Sequence, residues 1–366
     1  MNFKISREAL LKPLQVVSGV VEKRQTLPIL SNVLLNIQSR RLTLTGTDLE
    51  VELTASTPLE SDENAEITLP ARKFMDICKS LPEGSELNIH LDSDRATIQS
   101  GKSRFTLSTL PSNDFPATEK VTGAREYTLS QSTLKHLIEQ THFCMANQDV
   151  RYYLNGLLLE LRQNAIRAVA TDGHRLALSE AECDIIPGDI NQIIMPRKGV
   201  TELSRLLEDA DHGCKIELNS NFIRIDLGDI VFTSKLIDGR FPDYDRVIPK
   251  GGDKIVKANR ETLRQGLLRA SILSNEKYRG IRLHFTDNML YATVNNPEQE
   301  EAKEELDVDY NGDEIEIGFN VSYLVDALNA IKQDEVELIL IDANSSCLIH
   351  GLGDDSSRYV VMPMRL

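Results

Sequence analysis

A spacing of 124 residues recurs along this chain and limits what it can fold into. Leu42-Thr43-Leu44-Thr45-Gly46-Thr47-Asp48 aligns with Ile166-Arg167-Ala168-Val169-Ala170-Thr171-Asp172, and that segment with Leu290-Tyr291-Ala292-Thr293-Val294-Asn295-Asn296. Positions 42, 166 and 290 are apolar, as are 44, 168 and 292, the period-two pattern of a strand with one buried face. Other elements keep step. Ser6-Arg7-Glu8-Ala9-Leu10, Ser130-Gln131-Ser132-Thr133-Leu134 and Asn259-Arg260-Glu261-Thr262-Leu263 each set an N-capping residue before an amphipathic run.

A second helix opens at Pro70-Ala71-Arg72-Lys73-Phe74, at Pro196-Arg197-Lys198-Gly199-Val200 and at Phe319-Asn320-Val321-Ser322-Tyr323. Its apolar positions recur at helical spacing: Phe74, Ile77, Cys78, Leu81; then Val200, Leu203, Leu207; then Leu324, Leu328, Ile331. Segments such as 34–37 and 157–159 read as strands, and Phe115-Pro116 and Phe241-Pro242 close the first two copies. The expected fold class is α+β: three tandem copies of one domain, each with two helices and about eight strands. Glycine-containing polar stretches near Val121-Thr122-Gly123 and Lys250-Gly251-Gly252 set the domains at 1–124, 125–252 and 253–366. A period this long means tandem domains, since solenoid repeats run to roughly 20–50 residues.

Charge is distributed unevenly over the copies. The net charge of −15 divides as −2 over 1–124, −4 over 125–252 and −9 over 253–366. A strongly basic nucleic-acid binder is excluded, while a local basic face on an acidic body is not. The last third carries Glu298, Glu300, Glu301, Glu304 and Glu305; the first carries Lys73, Lys102 and Arg104 beside Phe105 and Leu107. An acidic end meeting a basic, apolar end is the expected head-to-tail contact, with a solvated charge run as the alternative. No apolar run approaches the ~18 residues of a membrane helix, and the start lacks a signal-peptide core, so a cytoplasmic location is expected. Cys78, Cys144, Cys183, Cys214 and Cys347 are odd in number and scattered, which fits reduced thiols rather than disulfides or zinc ligands.

Ala170-Thr171-Asp172-Gly173-His174-Arg175-Leu176 looks catalytic on its own, because Asp and His two apart suit acid–base work. A hydrolase centred on Asp172 and His174 is therefore one reading, and a scaffold without nucleic acid another. Against the hydrolase, the chain has no G-x-S-x-G, H-E-x-x-H, P-loop or G-x-G-x-x-G signature. The sister segments have Leu49 and Pro297 where Gly173 stands, so Gly-His-Arg-Leu belongs to the middle copy alone, and Asp172 reads as structural.

Several blocks then carry a resemblance: Leu10-Leu11-Lys12-Pro13-Leu14-Gln15, Thr26-Leu27-Pro28-Ile29-Leu30, Gln148-Asp149-Val150-Arg151-Tyr152-Tyr153-Leu154-Asn155-Gly156, ATDGHRL itself, Asp238-Gly239-Arg240-Phe241-Pro242-Asp243-Tyr244, Asn295-Asn296-Pro297-Glu298-Gln299-Glu300-Glu301 and Val360-Val361-Met362-Pro363-Met364-Arg365-Leu366. Over its whole length the chain resembles the sliding-clamp family of bacterial DNA polymerase III. The resemblance implies a head-to-tail homodimer whose six domains form a ring, helices inside and sheets outside. It implies a non-catalytic processivity factor that encircles double-stranded DNA and needs no cofactor or metal. Implied partners are the polymerase III catalytic subunit, the ATP-dependent clamp loader, and other polymerases and repair proteins bearing short linear peptides.

The helices place Arg7, Lys12, Lys135, Arg264 and Arg269 on polar faces, with Arg197, Lys198 and Arg205. By resemblance Arg24, Arg72, Gln148, Tyr152 and Tyr153 join the last three as DNA contacts, with strand-edge packing as the alternative for the tyrosines. The implied peptide groove comprises Leu154, Thr171, Gly173, His174, Arg175, Leu176, Pro242, Arg246, Val247, Asn320, Tyr323, Ser346, Val360, Val361, Met362, Pro363, Met364, Arg365 and Leu366. The implied dimer interface sets Lys73, Arg104, Phe105 and Leu107 against Ile272, Leu273, Glu300, Glu301 and Glu304. Three positions depart from the family pattern: Asn147 for a familiar His, Lys303 within the acid run, and Asn344 where an apolar residue is common.

Overall fold

A computed structural model describes residues 2–22, 27–92, 94–116, 122–186 and 191–365. Ten elements appear in one order three times over. The first round is β1 (Asn2–Ser6), α1 (Arg7–Ser18), β2 (Asn32–Gln38), β3 (Arg41–Thr47), β4 (Val51–Pro58), β5 (Ala65–Pro70), α2 (Ala71–Ser80), β6 (Glu86–Leu91), β7 (Arg95–Ser100) and β8 (Ser103–Ser108). The second is β9 (Arg125–Ser130), α3 (Gln131–Thr141), β10 (Gly156–Arg162), β11 (Ala165–Thr171), β12 (Arg175–Glu182), β13 (Gln192–Pro196), α4 (Arg197–Leu206), β14 (Gly213–Leu218), β15 (Phe222–Asp226) and β16 (Ile230–Lys235). The third is β17 (Lys254–Asn259), α5 (Arg260–Ser271), β18 (Gly280–Thr286), β19 (Met289–Asn295), β20 (Glu301–Asp307), β21 (Ile315–Asn320), α6 (Val321–Ala330), β22 (Glu335–Leu340), β23 (Cys347–Gly351) and β24 (Ser357–Val361). Among the described residues no helix is long and apolar enough to cross a membrane.

Local chemistry repeats with the order. Ser6 Oγ accepts from Ala9 N at 3.2 Å, Ser130 Oγ from Thr133 N at 3.1 Å, and Asn259 Oδ1 from Thr262 N at 2.9 Å. Each cap satisfies a helix-end donor that has no intrahelical partner. On α1 the buried residues Leu10, Pro13, Leu14 and Val17 form the inward stripe, and on α2 Ala71, Phe74 and Cys78 do. Four of the five cysteines are buried, and Cys183 is half-buried; burial pushes the Cys78 thiol up to about 12.

The sheets do not respect the copies. The chain divides into two compact units, Met1–Leu134 with Lys198–Leu236, and Lys135–Arg197 with Ile237–Leu366. The first holds a four-stranded sheet, β1-β6-β7-β8, and an eight-stranded one, β5-β2-β3-β4-β16-β15-β14-β9. The second holds β20-β19-β18-β21 and β13-β10-β11-β12-β24-β23-β22-β17. The strands of the middle copy are thus shared out, β9 and β14 to β16 to the first unit and β10 to β13 to the second. Two antiparallel junctions stitch successive copies. Strand β4 pairs β16 from Val51↔Ser234 to Ala55↔Ile230, and β12 pairs β24 from Arg175↔Val361 to Ser179↔Ser357.

Gly46 marks how closely α1 lies on its sheet. A Cβ at Gly46 would stand 2.5 Å from the Val17 carbonyl oxygen, a backbone atom that cannot rotate away. Gly46→Ala is expected to lower the stability of the first unit by about 1–3 kcal/mol, read as a shifted urea midpoint.

Candidate partner-binding groove

The turn between β11 and β12 is built from its own side chains. Thr171 Oγ1 donates to the Arg175 carbonyl at 2.6 Å and accepts from Gly173 N at 3.1 Å. Asp172 Oδ1 accepts from His174 N at 2.9 Å and Arg175 N at 3.1 Å, while Oδ2 takes Arg175 Nε at 3.0 Å. The first copy makes the same turn. Thr47 Oγ1 donates to the Val51 carbonyl and accepts from Leu49 N, both at 3.0 Å, and Asp48 Oδ1 accepts from Glu50 N and Val51 N. In both turns the third residue is left-handed, Gly173 at φ +88° and Leu49 at φ +78°. The third copy closes a turn one residue longer, with Asn296 Oδ1 accepting from Glu300 N and Gln299 left-handed at φ +65°. Asp172 is thus a repeat-wide turn former whose oxygens hold its own loop, and the acid–base dyad that the heptapeptide suggested is not assembled.

What the middle copy adds is a buried tie. The Arg175 guanidinium donates to Asp326 Oδ2 at 2.6 Å and to the Phe143 carbonyl at 2.8 Å, and lies 4.4 Å from the Tyr323 ring centroid. Charge-assisted bonds plus aromatic stacking make a rigid anchor. Beside it opens a mostly apolar cavity of about 170 Å³ lined by Arg151, Leu154, Thr171, Gly173, Arg175, Leu176, Pro242, Asp243, Tyr244, Val247, Val360 and Met362. Its floor is a buried cluster in which Leu154, Leu158, Leu176, Leu178, Ile194, Phe241 and Val360 pack together.

Nine residues assigned to the groove on resemblance line this cavity, and three lining residues were not assigned. Arg151 is held by Asp149, whose carboxyl its hydrogen bonds pull down to about 2, and donates to the Asp172 carbonyl at 3.1 Å. Tyr244 donates to Glu160 Oε2 at 2.6 Å and accepts from Arg167 at 3.0 Å. Asp243 pairs with exposed Arg246 at 2.7 Å. Arg151, Asp243 and Tyr244 all lie inside the blocks QDVRYYLNG and DGRFPDY, so a sequence signal exists for each of them.

The remaining assigned residues sit elsewhere. Asn320 Oδ1 caps α6 through Ser322 N, and Tyr323 lies under Arg175. Val361 pairs with Arg175 across the ladder. The tail is docked by backbone bonds, Met362 N to the His174 carbonyl at 3.0 Å and Met364 N to the Gly318 carbonyl at 2.9 Å. Met364 and Arg365 line a second depression of about 620 Å³ with Asn275, Tyr278, Arg282, Pro297 and Glu301. His174, Ser346 and Pro363 line neither cavity, and Asn344 N donates to Asp342 at 2.8 Å in a surface turn. Leu366, like Arg24, lies outside the described residues.

Several expected DNA contacts are already engaged within the chain. Lys198 bonds Glu22 at 2.5 Å and pairs with Asp48; burial works against its charge, but the two carboxylates outweigh that and raise its pKa. Arg197 donates to the Met145 carbonyl at 2.7 Å, Arg205 pairs with Glu202 at 2.8 Å, and Arg264 pairs with Glu261 at 2.7 Å. Arg72 is exposed on α2, and Gln148 is exposed with φ +56°. Tyr152 and Tyr153 form a 3-10 turn, not a strand edge; Tyr152 is 56% exposed and Tyr153 packs on the buried cluster.

The expected interface residues differ in how far they are exposed within one chain. Lys73, Arg104, Ile272, Glu300 and Glu301 are exposed, but Leu107 is buried in its own unit. Glu304 faces inward to Arg269, at 2.6 Å, instead of standing in an open acid run. Phe105 and Leu273 are half-buried.

Replacing Asp172 by Ala removes three acceptor contacts from one buried-edge turn. Asp172→Ala is expected to cost about 2–3 kcal/mol of stability and to speed amide exchange at His174 and Arg175.

Three family models cover nearly the whole chain: the N-terminal domain of the DNA polymerase III beta subunit at residues 1–119, its central domain at 128–243 and its C-terminal domain at 245–365. The beta sliding clamp of Pseudomonas putida is 58% identical, and that of Escherichia coli K12 53% identical, each over 100% of both chains. A crystal structure of the Pseudomonas aeruginosa DNA polymerase III subunit beta superposes with a TM-score of 0.97 at 56% identity, covering 100% of both chains. With three consecutive domain matches and full-length identity above one half, this chain belongs to the DNA polymerase III beta subunit family, the beta sliding clamps.

Proposed function

We propose that the chain works as a DNA sliding clamp: two copies join head to tail into a closed ring that encircles duplex DNA and tethers the replicative polymerase. The observation that carries this reading is the unfinished series of sheet junctions. Of the six strands in the β4 or β8 position of their copies, β4 takes β16 and β12 takes β24, leaving β20 and β8. A second copy supplies each with its counterpart, and because the contact is heterologous, two chains close the series only by a rotation that returns to the start. The three domains of this reading are 1–124, 125–252 and 253–366.

A ring that tethers without catalysis uses the residues differently from an enzyme. Phosphate contacts from Arg72, Gln148, Arg197, Lys198 and Arg205 position the duplex without reading sequence, and the net charge of −15 discourages DNA from lying elsewhere. Topological linkage converts polymerase rebinding into an intramolecular event at high effective concentration. The 170 Å³ cavity is smaller than the roughly 300–1,000 Å³ of drug-sized ligand sites. It suits apolar side chains of a short peptide, with the docked tail extending the surface, and so serves polymerases, the ATP-dependent loader and repair proteins in turn. Flexible Met362 and Met364 favour such shared use.

The DNA arm is tested by retention on circular plasmid and on the same plasmid linearised. Stable retention on the circle and rapid loss from the linear form are expected; equal retention on both removes the ring reading. For the groove, deleting Met362 to Leu366 is expected to reduce binding of apolar clamp-binding peptides at least about tenfold, measured by fluorescence anisotropy, while the dimer persists.

A further inference from the structure

The internal junctions predict the residue register of the missing one. Resting on the ring reading above, we infer that β20 pairs with β8 of the partner subunit so that Lys303 stands opposite Arg104 of the partner subunit, a like-charge pair at the centre of each interface.

Equivalent positions follow from ladder counting. In β3–β4, β11–β12 and β19–β20 the pairs Thr47↔Glu52, Thr171↔Leu176 and Asn295↔Glu301 close the same turn, so Leu53, Ala177 and Ala302 are equivalent. The other side is fixed by Leu91↔Ala96 and Ala96↔Leu107, which match Leu218↔Ile223 and Ile223↔Ser234. Phe105 is therefore equivalent to Phe232, and Arg104 to Val231. The two observed junctions pair Leu53 with Phe232 and Ala177 with Tyr359, each an aliphatic residue on an aromatic ring. The same rule sets Ala302 on Phe105 of the partner subunit, keeping the aliphatic–aromatic pairing in all three. One residue on, Thr54 faces Val231 and Leu178 faces Arg358, and the third member is Lys303 facing Arg104 of the partner subunit.

Side-chain direction agrees with this register. In β20 Ala302, Glu304 and Leu306 are the more buried positions, and Glu301, Lys303 and Glu305 are exposed. In β8 Phe105 and Leu107 point inward, and Arg104 and Thr106 are exposed. Directly opposed residues on one face interact, and like charges there oppose pairing. Glu301 and Glu305 are the diagonal neighbours that attract Arg104 of the partner subunit, but Lys303 already holds Glu305 at 3.2 Å and sits 4.7 Å from the Tyr291 ring centroid. Lys303 thus repels the incoming guanidinium and competes for one of its two carboxylates. A ring contains this pair twice, so its effect on dissociation to monomers is doubled.

The test is the dimer dissociation constant of the full-length chain by fluorescence-detected sedimentation at low and high salt. Lys303→Glu is expected to tighten the dimer at least about fivefold at ~20 mM salt, with the gain shrinking near 1 M salt as screening sets in. In the Arg104→Ala background the same substitution is expected to change the constant by less than about twofold. A dimer whose affinity ignores Lys303→Glu, or that gains equally without Arg104, overturns the register and leaves the ring reading standing. A chain that stays monomeric at all concentrations overturns both.

Discussion

Backbone hydrogen bonding across sheet edges is the constraint on which everything else in this molecule depends. A strand at the end of a sheet leaves a row of donors and acceptors that must find water or another strand. This chain resolves two such edges by pairing one copy with the next, β4 with β16 and β12 with β24. The copies are consequently not independent beads. Each eight-stranded sheet is assembled from strands of two successive copies, and the compact units cut through the middle copy rather than around it. The second junction also shapes the groove: Arg175 begins β12 and faces Val361 of β24, so the sheet junction and the cavity wall share residues.

The repeat was legible because the turn chemistry is carried by side chains. Thr47-Asp48 and Thr171-Asp172 form the same hydrogen-bonded loop, and sequence alone aligned them; the capping residues Ser6, Ser130 and Asn259 were legible for the same reason. The splitting of the middle copy was not. Alternation within β12 says that it has a buried face, but nothing local says which strand lies at its edge, since ladder partners 178 residues apart, such as Ser179 and Ser357, leave no periodic trace.

Charge was the least legible property. Lys198 reads as a free cation on a helix, yet its partners Glu22 and Asp48 come from 150 to 176 residues away. Glu304 reads as part of an acid run, yet strand alternation turns it inward to Arg269. Arg175, assigned to the groove by resemblance, lines the cavity while its guanidinium is tied to Asp172, Asp326 and the Phe143 carbonyl, partners that its position in the sequence does not show. Long side chains reach partners that depend on tertiary placement, so a residue's sign is visible in sequence and its availability is not.

The engagement of Lys198 also bears on motion. On the proposed ring reading, a phosphate passing a lysine already neutralised by Glu22 and Asp48 would meet a shallow well rather than a deep one. Arg205 with Glu202 and Arg264 with Glu261 would make similarly tempered contacts on that reading. Deep wells would pin a duplex at each helical repeat; shallow ones leave an even potential with small barriers between successive positions. In such a ring pre-paired cations would act as a lubricant, giving the DNA enough attraction to stay centred and too little corrugation to stall.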